Sequence, residues 1–284
     1  MNNIFDIRRF GLVLGKDLQE NWKRRSIVQF AGLFGGLVVI LIMNSMEYLS
    51  DMQHSSYYSL EMLNLQLLRM AFIYLAVFGV LMASTLMEPM NSKTKRITYL
   101  TLPASNVEKF LSRWLILTVG YTLAFFVALW VADAFRVVVC SIKYPDLDVP
   151  FMDLSKLVSV GEYDHSYLFP EMILFWLCLT FCLFIQSLFI LGSTFWQKST
   201  FLKTFATGVV ISGLFLFICN LTIQLFYEDY NQFGNVINSF DTIVFLQDKD
   251  GAVCLAIGIL AFLALFNWTL AFFRFKESEI IKRW

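Results

Sequence analysis

Six long apolar runs constrain this chain more than any other feature. They lie at approximately Ser26–Met46, Leu67–Met87, Trp114–Phe135, Met172–Trp196, Thr204–Phe226 and Gly251–Phe273. Each matches the roughly 17–25 residues that a helix needs to cross the hydrocarbon of a bilayer. The runs are continuous, whereas the strands of a membrane barrel alternate and are shorter. In lipid the backbone must satisfy its own hydrogen bonds, so each run is expected to be a helix. Composition agrees: 58% of the 284 residues are hydrophobic and 15% charged, against about 25% charged in a soluble domain. The expected fold is an all-α integral membrane protein with six transmembrane helices, forming a single transmembrane domain over 1–284. Within it, 1–25 is read as an interfacial helix, 26–273 as the membrane region and 274–284 as a tail.

Net charge is zero, which gives no reason to expect a nucleic-acid partner. The distribution of charge says more. Seventeen of the 22 Lys and Arg fall in four places: the N-terminal 25 residues, the loop after the second run, the turn after the fourth, and the tail. Arg69, Arg136, Lys143, Lys156 and Lys249 are the others, in or beside loops rich in Asp and Glu. Basic loops stay on the cytoplasmic side, so both termini are expected there, with Asn2 and Trp284 inside and Tyr57, Asp153 and Asn235 outside.

The first 25 residues lack the apolar stretch of a signal peptide. Ile4, Ile7, Phe10, Gly11, Leu14, Leu18 and Trp22 recur at helical spacing, with Arg8, Arg9, Lys16, Gln19, Glu20 and Lys23 opposite. This pattern predicts an amphipathic helix lying in the headgroup region, although Phe5, Leu12 and Val13 break it. The outer segment 136–171 contains three prolines and is expected to be an ordered loop with one short helix near Met152–Val158.

Little points to bond chemistry. The five cysteines, Cys140, Cys178, Cys182, Cys219 and Cys254, are odd in number and four sit in apolar runs, so they read as buried small hydrophobes rather than a disulfide framework. His54 and His165 fall in outer loops, where a metal site with Asp51 or Asp164 is possible in principle but not required by spacing. Gly11–Lys16 has too short a spacer for a phosphate loop, and Asp17 stands where Ser or Thr is needed. No catalytic set, metal site or cofactor is expected, and the chain is not read as an enzyme.

Polar residues inside apolar runs are costly and therefore informative. Asp133 and Arg136, spaced i, i+3, are expected to pair structurally, with a substrate contact as the alternative. Asn44, Gln186, Asn220, Gln224 and Asn267 are candidates for interhelical hydrogen bonds, with the lining of a path as the alternative. Gly32 and Gly36 form a G-x-x-x-G, and Gly208, Ser212 and Gly213 form a second small-residue face. Such faces let backbones approach closely, within one chain or between two.

The most specific segment is Glu88–Trp114. Ser105-Asn-Val-Glu108 directly after Pro103 reads as a capping box. Val107, Phe110, Leu111 and Trp114 then follow at helical spacing, with Lys109 expected on the exposed face and Arg113 beyond it. Tyr99–Leu102 reads as a short amphipathic piece. An ordinary capped interfacial loop remains the alternative.

Leu102-Pro103-Ala104-Ser105, followed by Phe110-Leu111-Ser112-Arg113, resembles the loop between spans two and three in membrane subunits of type-2 ATP-binding-cassette (ABC) exporters. The resemblance extends to the whole layout: an N-terminal interfacial helix, six spans and cytoplasmic termini. Ser112 replaces the usual Gly and Arg113 the usual Lys. The resemblance implies a permease subunit in a bacterial cytoplasmic (inner) membrane. Its loop, including Tyr99, Leu102, Pro103, Ser105, Glu108, Lys109 and Arg113, would dock on a separate ATPase. It also implies a dimer of permease chains with two ATPases, the small-residue faces being candidates for the seam. A non-transporting scaffold, immunity or sensor component is the rival reading.

Overall fold

The computed structural model describes residues 5–22, 25–54, 59–159, 166–196, 199–226 and 249–278. The expected orientations of Asn2, Tyr57, Asn235 and Trp284, and the reading of His165, fall outside them. The described residues form nine α-helices: α1 (Ile7–Trp22), α2 (Arg25–His54), α3 (Leu60–Ala83), α4 (Lys93–Leu100), α5 (Asn106–Leu115), α6 (Tyr121–Lys143), α7 (Met172–Phe195), α8 (Thr200–Phe226) and α9 (Lys249–Ser278). Six stretches are long and apolar enough to cross a membrane: Ala31–Gln53, Leu60–Met90, Asn106–Lys143, Met172–Phe195, Thr200–Ile218 and Asp250–Glu277. The fold is that of a multi-pass helical membrane protein. Four of these stretches are longer than the expected runs, because helices continue past the apolar residues, as α2 does through Glu47 and Asp51; Met172–Phe195 and Thr200–Ile218 are not.

One end of the bundle is basic. It carries α1, α4, α5, the turn between α7 and α8, and the end of α9, where Arg274 lies over the Phe195 ring at 4.1 Å. The other end carries the described part of the segment 136–171, which the charge pattern leads one to expect outside. There the expected short helix is a single 3₁₀ turn, Leu154–Leu157, started by the Asp153 side chain accepting from the Ser155 N–H.

Two apolar clusters divide the interior. In the first, α2, α3 and α6 close around Leu37, Leu41, Leu67, Phe125 and Leu129. In the second, near the basic end, α7 and α9 pack with the end of α3, α4 and α5 around Met90, Tyr99, Phe110, Ile190 and Phe275. Two of the expected polar residues do bridge helices. Gln66 donates to Asn44 Oδ1 (3.0 Å) between α2 and α3, and Asn267 donates to Ser187 Oγ (2.9 Å) between α7 and α9. The Asn220, Gln224 and Cys219 side chains lie outside those described. Cys140, Cys178, Cys182 and Cys254 are free thiols.

The small residues separate into used and unused. At Gly36 an added Cβ would overlap the Tyr74 hydroxyl, which donates to the Leu33 carbonyl (3.1 Å). Gly36 therefore serves a contact within the chain. Gly32, Gly208 and Gly213 face open space, and every side chain of α8 from Gly208 to Ile218, Ser212 included, is exposed. The tightest close approach is at a glycine outside both small-residue patterns: a Cβ on Gly192 would lie 2.6 Å from Thr204 Cγ2 and 2.9 Å from its Cβ. Gly192→Leu is thus expected to destabilise the α7–α8 pair by about 1–3 kcal/mol through overpacking. Gly208→Leu should leave the single chain's melting temperature unchanged. Thermal melts of both variants in detergent check this.

Candidate functional site: an elbow at the basic end

The site is built from three short helices. Pro103 ends the preceding turn, and the Ser105 side chain then accepts from the Glu108 N–H (3.3 Å) while Glu108 Oε2 accepts from the Ser105 N–H (2.9 Å). The expected capping box is therefore present, and it starts α5 at Asn106. A second cap, Ser92 accepting from the Lys95 N–H (3.3 Å), starts α4. These caps satisfy donors that the first turn of a helix leaves without partners. They fix α4 and α5 as an elbow between α3 and α6.

Glu108 does more than cap. Its Oε1 also accepts from the Asp6 N–H (2.8 Å) and from Arg9 Nη2 (2.8 Å), while Arg9 Nε reaches Oε2 at 2.9 Å. One fully buried carboxylate thus joins the start of α5 to the start of α1. The Arg9 hydrogen bond to Glu108 pushes the guanidinium pKa above its ordinary value, chiefly by stabilising the charged form. Farther along, the Ser112 hydroxyl donates to Asp17 Oδ2 at 2.6 Å, and both residues are fully buried. This gives a physical role to the serine that stands where the resembled family has glycine: it fastens α5 to α1 by a second polar bond.

The basic residues of α5 differ from expectation. Lys109, expected on the exposed face, is 2% exposed, and its ammonium donates to the Leu100 carbonyl (3.0 Å). Arg113 is also buried and donates to the Leu86 carbonyl (2.9 Å). The reason is the turn before α5. It folds α4 back over α5, so the last carbonyl of α4 and the carbonyls after α3 need donors, and the long cationic side chains supply them. Tyr99 is buried between them. Its hydroxyl donates to the Lys109 carbonyl (2.9 Å), and the Arg113 guanidinium sits 5.5 Å from its ring centroid. Tyr99, Glu108, Lys109 and Arg113 are therefore the internal frame of the elbow and cannot be its contact face.

The exposed face is made by their neighbours. Lys93, Thr94, Lys95, Ile97, Thr98, Thr101 and Pro103 are open, with Ile97 55% exposed. Ser105 is half-buried, as is Leu102, which packs against the second cluster.

The elbow is also tied to the membrane region. Phe110 packs edge-on against Phe272 at 5.7 Å, and Trp114 against Trp268 at 5.2 Å. Beyond Leu115 the helix makes one π-helical turn, Ile116–Gly120, before α6 continues. Such turns insert extra chain into a helix and often mark functional positions.

At the opposite end Asp133 and Arg136 pair as expected, at 2.6 Å. Arg136 Nη2 also donates to the Pro150 carbonyl (2.7 Å), and Asp133 Oδ2 accepts from the Met152 N–H (2.8 Å). The pair pins the outer segment over α6. That arrangement gives it a structural role.

Sequence reasoning missed Arg9, Asp17 and Gly192. A signal for Asp17 existed: Val13, set aside as breaking the amphipathic pattern of α1, lies one turn before Asp17. The two are the most buried residues of the described part of α1. Among the described residues no group of three His, Cys, Asp or Glu side chains is placed to hold a metal ion. Compared with known proteins, the chain matches no family model, no curated protein and no solved structure.

Proposed function

We propose that this chain is the permease subunit of an ABC-type exporter in a bacterial cytoplasmic membrane, driven by a separate ATPase subunit. One observation carries the reading. A short capped elbow lies between the second and third spans, is fastened to the N-terminal helix through Glu108, and presents an open basic and apolar face on α4. A passive loop has no need of two caps and a buried carboxylate shared between two segments. A part that receives force does, because its displacement must reach the spans without being lost in local bending.

In this reading the chain does no bond chemistry. Nucleotide binding and hydrolysis in the partner push on α4. The Glu108–Arg9 and Ser112–Asp17 bonds carry α1 along with α5, and the Phe110 and Trp114 contacts carry the end of α9. The spans then shift between two arrangements whose populations the ATPase sets. A second permease chain would complete the assembly, with the open small-residue face of α8 as its seam.

Affinity purification in mild detergent tests the reading. An ATPase with a phosphate loop is expected to co-purify in stoichiometric amount. Recovery of the chain alone, from cells and detergents that preserve other permease complexes, would argue for a scaffold or sensor.

A further inference from the structure

We propose that Arg69, with Gln66 and Asn44, forms a binding site for the headgroup of an anionic phospholipid on the open face of α3. The proposal does not depend on the exporter reading. Arg69 lies within the second span, Leu60–Met90. It is nine residues into α3, about 13 Å along the axis at the usual rise. An intramembrane cation is costly and normally paired. Arg136, set well inside the third span, follows that rule: it is buried and neutralised by Asp133. Arg69 is exposed and makes no hydrogen bond or ion pair among the described residues.

Its surroundings supply what a phospholipid needs. Gln66 is one turn away on the same helix and donates to Asn44 of α2 (3.0 Å), so the amide pair occupies the position next to Arg69 on the helix surface. Asn64, hydrogen-bonded to Asp153, marks the level of the outer segment. Arg69 lies five residues deeper, about 7 Å, from where a long side chain reaches headgroup level with its stem along apolar surface. Below it, Ile73 and Val77 continue the same face, 51% and 52% exposed. The order along α3 is therefore polar, cationic, apolar, apolar, which matches a headgroup followed by an acyl chain. A guanidinium holds phosphate oxygens through a fixed fork of donors, and its charge favours a lipid of net negative charge over a zwitterionic one, whose headgroup carries its own cation beside the phosphate.

The test is native mass spectrometry of the purified chain from mixed micelles containing phosphatidylglycerol and phosphatidylcholine. Wild type is expected to retain phosphatidylglycerol about tenfold better. Arg69→Gln should bring the two lipids to parity, and Arg69→Lys should keep part of the preference. Because Arg69 makes no hydrogen bond or ion pair among the described residues, both variants should melt as wild type does. Equal retention of the two lipids by wild type, or an unchanged preference in Arg69→Gln, would overturn the proposal. So would displacement of the lipid by millimolar inorganic phosphate, which would make the site one for a soluble anion. A marked fall in melting temperature for both variants would assign Arg69 to the fold and equally overturn it.

Discussion

Asp133→Ala is expected to destabilise the protein by about 3–5 kcal/mol, the usual cost of removing one partner from a buried ion pair. Arg136 is 1% exposed, and one of its nitrogens, Nη1, already lacks a hydrogen-bond partner. Without Asp133 its charge has, among the described residues, only the Pro150 carbonyl. The Met152 N–H loses its acceptor in the same step. The change should lower the melting temperature in detergent and expose the outer segment to protease near Phe151. Replacing both residues with leucine should recover most of the loss, because buried ion pairs exchanged for apolar groups of similar volume are often neutral in stability. If the double variant is as unstable as Asp133→Ala, the pair is a ligand contact or part of a larger network rather than a local pin.

Glu108→Ala is the second large effect, about 3 kcal/mol from the lost cap together with charge-assisted hydrogen bonds. The carboxylate is fully buried and serves Ser105, Asp6 and Arg9 at once. Its removal should release α1 from α5, which limited trypsin cleavage after Arg8 and Arg9 would report before any change in the spans. Glu108→Gln keeps an acceptor for the Ser105 N–H but not the charge facing Arg9, so it should fall between wild type and the alanine variant. Equal cleavage rates in all three proteins would show that Glu108 does not join the two helices.

The spans were legible because length and hydrophobicity alone decide them, and the α5 cap because Ser105 and Glu108 sit three apart after Pro103. Asp133 and Arg136 were legible for the same local reason. The elbow's tertiary bonds were not. Arg9 and Glu108 are 99 residues apart, and nothing in either segment names the other. Lys109 was misplaced because a helical wheel assigns a face relative to one partner. In the fold α4 turns back and covers the face that the wheel leaves open. Gly192 was passed over because its close approach depends on Thr204, beyond a turn in which Ser199 takes a left-handed φ of 56°. A Cβ on Gly208, which has the stronger sequence pattern, would meet nothing within 4 Å among the described residues.

Charge and shape changes on the exposed face of α4 test the proposed docking of an ATPase there without disturbing the frame. Lys95→Glu and Ile97→Glu alter exposed side chains and should be close to neutral in stability. The measurement is capture of the partner by equal amounts of folded wild-type and variant protein, with ATP turnover of the captured complex. Both variants are expected to melt like wild type, lose most of the partner and leave its turnover unresponsive to this chain. Equal recovery of the partner, with equal turnover, would contradict the assignment of this face.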